Sequence, residues 1–556
     1  MNDAVAHAVS STVADVVGRI LAELGVGHAF GVVGSGNFAV TNALRAAGVP
    51  YVAARHEGGA ATMADAYSRM SGTLAVLTTH QGCGLTNAMT GITEAAKSRT
   101  PLIVLAADTA GAAVGSNFRI DQDALVRSVG AVAERVHSSS SAVADITRAY
   151  RTAVNDRRTV VVSLPLDVQA TPLHQPPDGA LSLLTTAQVR PATDAVAEFR
   201  RLLLASRRPV FVAGRGARGA GPQLAALAEQ VGALVATSAV ANGLFEDDPY
   251  SLGISGGFAS PLAAELISTA DLIVGWGCAL NMWTMRHGAL VAPDAVVIQV
   301  DVEDAALGAN RPITLGVLGG TAETATDVGR AMVADPVDRR YRTDDVRTRI
   351  AARVRWNREP TDDLSTPTSI DPRVLTNALD EMLPLERVVA VDSGNFMGYP
   401  SAYLRVPDEF GFCFTQAFQS IGLGLATGIG AALARPDRLP VVATGDGGFL
   451  MGIAELETLV RLALPMVVVV YNDAGYGAEV HHFGRDADLG AVTFPDTDFA
   501  AIARGYGAAG VTVRTAGDLD GVRAWLDGPR GAPLVVDAKV SDDNGSWWLA
   551  EAFRGH

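Results

Sequence analysis

The chain has 556 residues, 48% of them hydrophobic and 19% charged, which suits a well-packed globular protein of about three domains. A net charge of −15 argues against a nucleic-acid partner, because phosphate binding needs clustered Lys and Arg. No apolar run reaches membrane-helix length, the N-terminus has no basic leader, and Cys83, Cys278 and Cys413 are odd in number and far apart, so we expect a cytoplasmic protein with no membrane partner.

In chain order, Ser11 or Thr12 can cap a helix with Val13, Val16, Val17, Ile20, Leu21 and Leu24 on one face, and Gly25 ends it. Residues 28–33 read as a buried strand followed by Gly34-Ser35-Gly36-Asn37. A second strand at 51–54 leads into Arg55-His56-Glu57, and a third at 73–79 leads into His80-Gln81-Gly82-Cys83-Gly84. Further strands fall at 102–106 and 159–164. Strands alternating with helices predict a mostly parallel sheet covered on both faces. Gln175-Pro-Pro-Asp-Gly is a linker, and the strand at 209–213 runs into Gly214-Arg-Gly216-Ala-Arg-Gly219. That run is formally a dinucleotide fingerprint, yet no acid follows the next strand at 234–237 to hold a ribose, which disfavours NAD.

After a second linker at 365–372, a strand at 387–391 ends in Asp392-Ser393-Gly394-Asn395. Another at 412–415 leads to Gln416-Ala-Phe-Gln-Ser420-Ile421-Gly422. The strands at 440–444 and 466–471 bracket a helix marked by Ile453, Leu456, Val460, Ala463 and Leu464. This is a βαβ unit with Gly445-Asp446-Gly447-Gly448 at the end of its first strand and Asn472-Asp473-Ala474-Gly475 at the end of its second. Ligands of doubly wound sheets collect at such carboxyl ends. The glycines let a diphosphate reach backbone N–H groups, and the two aspartates are hard oxygen ligands suited to Mg²⁺. A last strand spans 534–539, and an apolar tail, 547–553, can fold over the site.

The GDG stretch and its Asn-containing loop resemble the thiamine diphosphate signature of the acetolactate synthase and benzoylformate decarboxylase families. RHEGGAATMADAYSR and THQGCGLTNAMTGI resemble their pyrimidine-binding domain, so the resemblance runs over essentially the whole chain. It implies three doubly wound α/β domains with mostly parallel sheets: pyrimidine-binding 1–180, central Rossmann-like 187–335 and diphosphate-binding 366–556. It implies Asp446, Asp473 and the carbonyl of Gly475 as metal ligands, although the family usually has Asn where Asp473 stands. It implies cofactor contacts at Gly394, Asn395, Ser420, Gly445, Gly447, Gly448 and Asn472, with Ile421 as the bulky wedge that bends the cofactor. Glu57 matches the cofactor-activating glutamate, whose carboxyl must lie against N1′ of the aminopyrimidine. His80 and Ser35 match active-site residues of benzoylformate decarboxylases, while Phe118 stands in the loop where acetolactate synthases carry Phe-Gln. The central loop 277–283 lacks the Arg of flavin-binding relatives, with Arg286 and His287 as substitutes, so FAD stays open.

The resemblance implies a thiamine diphosphate- and Mg²⁺-dependent enzyme whose cofactor lies between the pyrimidine domain of one subunit and the diphosphate domain of another, hence a homodimer at least and usually a homotetramer. The expected reaction is acetolactate synthase-like carboligation: a 2-oxo acid is decarboxylated, and the acyl-anion equivalent passes to an aldehyde or ketone acceptor. The alternatives are benzoylformate decarboxylase-like release of an aldehyde, or an FAD-containing oxidase of the pyruvate oxidase type.

Overall fold

The computed structural model describes residues 11–173, 188–333, 338, 340–484, 486–542 and 547–552. The expected limits at 1, 180, 187, 335 and 556, the linker at 175–179 and Phe553 of the tail lie outside these residues.

Three six-stranded sheets carry the chain, and all their neighbouring strands are parallel. The first runs Tyr51–Ala53, His28–Gly31, Ala75–Thr79, Leu102–Asp108, Thr159–Pro165, Val132–Arg135. The last runs Phe412–Phe414, Arg387–Val391, Leu439–Gly445, Val467–Asn472, Leu534–Lys539, Ala509–Val513. Numbered in chain order within each sheet, both have the order 2-1-3-4-6-5. The middle sheet, from Ser251–Ile254 to Leu315–Leu318, has the order 3-2-1-4-5-6 of a dinucleotide-binding fold. Strands covered on both faces become continuous apolar runs, and Val467–Asn472 (VVVVYN) is buried along its whole length.

Local chemistry sets the helix ends. Thr12 and Asp15 form a capping box at Val13–Glu23, with Thr12 N–H donating to Asp15 at 2.8 Å. Asp371 caps Pro372–Met382, where Pro372 occupies the first turn. Helix Glu57–Ser71 crosses helix Gly424–Ala434, and Gly430 leaves no room for a side chain above the Met63 backbone. This crossing joins the first and last sheets in one apolar core that includes Ala60, Met63, Leu425 and Ile429.

One expected element differs. The single helix anticipated after Gly448 is two short ones, Asp446–Gly452 and Glu455–Arg461, and Ala463 lies beyond them at φ 50°. The break frees Glu455 to accept from the backbone N–H groups of Arg55 and His56 at 3.1 and 2.9 Å, so a tie between domains replaces the continuous helix.

Candidate active site

The 2-1-3-4 order reverses direction between its first and third strands, which opens a crevice at their carboxyl ends. In the last sheet those ends carry Asp392-Ser393-Gly394-Asn395 and Gly445-Asp446-Gly447-Gly448. A cavity of about 680 Å³ opens there, walled by Gly394, Asn395, Ile421, Gly445, Asp446, Gly447, Gly448, Asp473 and Gly475. Gly394 sits at φ 141°, a backbone shape that side chains resist. A Cβ on Gly448 would come within 2.7 Å of the Asp392 carboxylate.

Asp446 is buried and accepts from the N–H groups of Gly447 at 2.8 Å and Gly475 at 3.0 Å. Burial pushes its carboxyl up to about 6. Asp473 is open to the cavity and hydrogen-bonded by Asn395. The surrounding protein, and then the Asp446 charge, push its carboxyl up to about 7. Asp392 accepts from the N–H groups of Ser393, Gly422 and Leu423 and from the Thr444 hydroxyl at 2.9–3.2 Å. Burial still pushes it up to about 6. It thereby ties together three of the loops that line the cavity.

Two expected contacts fall elsewhere. Asn472 is buried off the cavity: its amide donates to Asp537 at 2.9 Å and to the Thr497 carbonyl, and its oxygen accepts from Ala474 N–H. It shapes the loop and is not a wall residue. Ser420 donates to the Ile421 carbonyl at 3.2 Å and lies beside the wall.

The corresponding crevice of the first sheet gathers Ser35, Glu57 and His80. Ser35 Oγ and His80 Nε2 are 3.3 Å apart, and His80 Nδ1 lies 3.1 Å from the Gln81 carbonyl. Asn87 donates to Glu57 at 3.1 Å. A Cβ on Gly84 would approach both His80 and the Glu57 carboxylate. The Phe118 ring stands edge-on to His80 at 5.0 Å. None of the three expected catalytic residues lines the 680 Å³ cavity.

Other cavity residues were not singled out from sequence: Gln416, Gln419, Met451, Tyr476, Glu479, His481 and Asp542. Glu479 and His481 occupy helix Gly477–Phe483, directly after the Asp473 loop, and that position was the available signal. Trp283 reaches the wall from the central domain. The tail also contributes Leu549, while Trp548 donates to the Asn395 carbonyl at 2.9 Å. In the central sheet the switch-point loops bond to each other, Gly214 N–H to Trp276 and Gly216 N–H to Gly277, which closes the crevice between them. Arg286 donates to the carbonyls of Gly256 and Ala259 at 2.9 and 2.8 Å.

Three family models match in chain order: "Thiamine pyrophosphate enzyme, N-terminal TPP binding domain" at 11–126, the central domain at 196–328 and the C-terminal TPP binding domain at 392–538. The chain is 30% identical to the "Probable 2-ketoarginine decarboxylase AruI" of Pseudomonas aeruginosa, over 90% of this chain and 89% of that one. This chain belongs to the thiamine pyrophosphate enzymes. Another relative of this thiamine pyrophosphate enzyme is the sulfoacetaldehyde acetyltransferase of Roseovarius nubinhibens, 26% identical over 95% of this chain and 92% of that one. The putative acetolactate synthase large subunit IlvB2 of Mycobacterium tuberculosis is 29% identical over 89% and 92%. The fold matches the thiamine diphosphate-dependent 4-hydroxybenzoylformate decarboxylase of Rhodococcus jostii with a TM-score of 0.81 at 22% identity, covering 96% of this chain and all of that one. Among the described residues no helix is long and apolar enough to cross a membrane.

The site fits a metal-diphosphate group. Two neighbouring carboxylates face a glycine-walled cavity whose lining includes no Lys or Arg. A divalent cation would offset their repulsion, and oxygen donors suit Mg²⁺. Among the described residues no three His, Cys, Asp or Glu side chains cluster as a metal site, so further ligands would come from backbone, phosphate or water.

Proposed function

We propose that the enzyme is a Mg²⁺-dependent, acetolactate synthase-like carboligase of 2-oxo acids that works as a homodimer or as a tetramer of such dimers. The observation that carries the reading is the split site: the carboxylate-and-glycine cavity on one sheet and the Ser35–His80–Glu57 cluster on another. Apolar side chains are exposed on the segments that neighbour each half in sequence. Val33, Phe38, Val114, Phe118 and Ile120 are 38–73% exposed near one, and Phe418, Leu450, Met451 and Phe483 are 42–64% exposed near the other. Apolar surface of this kind favours burial against a second copy.

Asp446, Asp473 and the Gly475 carbonyl would hold Mg²⁺; Gly394, Asn395, Gly445, Gly447 and Gly448 would hold the diphosphate, with Ile421 beneath the bend. The chemistry thiamine diphosphate supplies when bound is addition to a carbonyl carbon and storage of the electron pair left by carbon dioxide. Glu57, oriented by Asn87, exchanges a proton at the pyrimidine nitrogen. His80, paired with Ser35, delivers or removes a proton at the substrate oxygen. Burial of the site between subunits would exclude water, which favours transfer to an acceptor over protonation.

A second reading, simple decarboxylation to an aldehyde, is favoured by the Ser35–His80 contact itself, a ready proton source. Product analysis by mass spectrometry with a panel of 2-oxo acids, with and without aldehydes, separates the two. Hydroxyketone products support carboligation. Aldehyde alone, with every acceptor tried, overturns it in favour of decarboxylation.

A further inference from the structure

We propose that Gln416 and Gln419 select the substrate by hydrogen-bonding a neutral acceptor oxygen on its side chain, away from the reacting carbonyl. The inference rests on the reading of the cavity as the thiamine diphosphate site. Both residues lie on the loop between strand Phe412–Phe414 and helix Gly424–Ala434, and both line the cavity. The Gln416 side-chain nitrogen is buried and has no hydrogen-bond partner. A buried donor left unmet is costly, and native structures rarely keep one without a use. Gln419 holds a left-handed backbone at φ 62°, a shape glycine adopts more cheaply. Of the described non-glycine residues with positive φ, only Gln419 and Ala474 line the cavity. A side chain kept at a strained position and turned to a cavity points to a ligand.

The loop is fixed. Glu94 accepts from the N–H groups of Ala417 and Phe418 at 3.1 and 2.7 Å, and Thr415 donates to the Val391 carbonyl at 3.1 Å. The backbone that carries both glutamines is therefore held in place. The sign of the ligand follows from the rest of the wall. Asp446, Asp473, Glu479 and Asp542 line it, no Lys or Arg does, and His481 is the one basic side chain among them, so a neutral oxygen suits this wall better than an anion. Trp283, Ile421 and Met451 supply apolar surface for the connecting carbons. The class is a 2-oxo acid whose chain ends in a hydroxyl, ether or carbonyl oxygen.

The test compares two isosteric probes, 5-hydroxy-2-oxopentanoate and 2-oxohexanoate. Calorimetry measures their binding to the cofactor-loaded Glu57→Gln protein, and turnover is followed with wild type. We expect the hydroxylated probe to be preferred, and Gln416→Met and Gln419→Gly each to shrink that preference about tenfold or more. Cofactor affinity should stay within about twofold, since the amides serve the substrate. Gln419→Gly should melt no lower than its parent, because it relieves the left-handed backbone. Equal binding of the two probes overturns the proposal. So does a loss of cofactor affinity in the variants as large as the loss of preference, because the amides then serve the cofactor. Failure of the parent to bind thiamine diphosphate is a separate outcome that sinks the functional reading, and the calorimetric preference is still read without the cofactor.

Discussion

Glu57 and the Asp446–Asp473 pair define what single side chains do here. Glu57→Gln should keep the fold and lower kcat by about 10²–10⁴-fold, since proton exchange at the pyrimidine is lost. Hydrogen–deuterium exchange at the cofactor C2 position checks it, and fast exchange in the variant would remove Glu57 from that role. The two aspartates predict a pH effect. Their carboxyls are pushed up to about 6 and about 7 in the metal-free protein, chiefly because the surrounding protein desolvates them, with the Asp446 charge adding to the effect at Asp473. A raised folded-state pKa stabilises the protein below the unfolded value, and that stability is lost as pH rises through 6 to 7. Asp473→Asn should therefore match wild type most closely below about pH 4 and melt progressively higher than wild type as pH rises towards 8, when no metal is present. Cofactor and Mg²⁺ should bind wild type more tightly as pH rises over the same range, because ligation needs the ionised carboxylates. A pH-independent affinity would show that the pair does not hold the metal. The placement of these residues was legible in sequence because GDG and RHEGGA follow apolar strands. The orphaned Gln416 nitrogen was not, since a partner's absence is a property of packing.

At the scale of elements, the strands were readable where both faces are buried, as with VVVVYN, because burial on both sides removes polar residues from the run. The helix break after Gly452 was not readable. Apolar spacing continues through Ile453 and Leu456, and only the distant Arg55 and His56 N–H groups explain why Glu455 starts a new helix. Asn472 misled for a similar reason: its motif position says nothing of Asp537, the partner 65 residues on that claims its amide. His28, on the second strand in space of the first sheet, lies 5.0 and 5.2 Å from the Phe30 and Tyr67 rings. Burial pushes it down to about 4 from 6.5. A depressed histidine keeps its full contribution above the unfolded value and loses it as pH falls from 6.5 towards 4. His28→Leu should flatten that part of the stability curve in thermal melts, and an unchanged slope would place the acid sensitivity elsewhere.

At the scale of the molecule, a buried arginine joins three domains. Arg69 pairs with Asp65 at 2.6 Å and Glu94 at 2.8 Å and donates to the Phe414 carbonyl at 3.0 Å. Its own carbonyl accepts from Arg218 of the central domain at 3.0 Å. Arg69→Met would strand two buried carboxylates and should cost about 3–5 kcal/mol in chemical denaturation. A loss under about 1 kcal/mol would mean that water replaces the arginine. No sequence motif marked this junction, because its members are spread from residue 65 to residue 414 and meet only in the folded chain. That Ser35, Glu57 and His80 of one copy meet the Asp446 cavity of another is implied by the resemblance alone, and in three dimensions it would have a genetic consequence. If each site borrows one half from each of two copies, the damage in Glu57→Gln and in Asp446→Ala falls on opposite halves. A mixed pair then gathers both lesions into one site and leaves the other whole. Two inactive proteins, unfolded and refolded together, should thus recover about a quarter of the wild-type activity, given random pairing of equal amounts. Copies that each complete their own site would recover none.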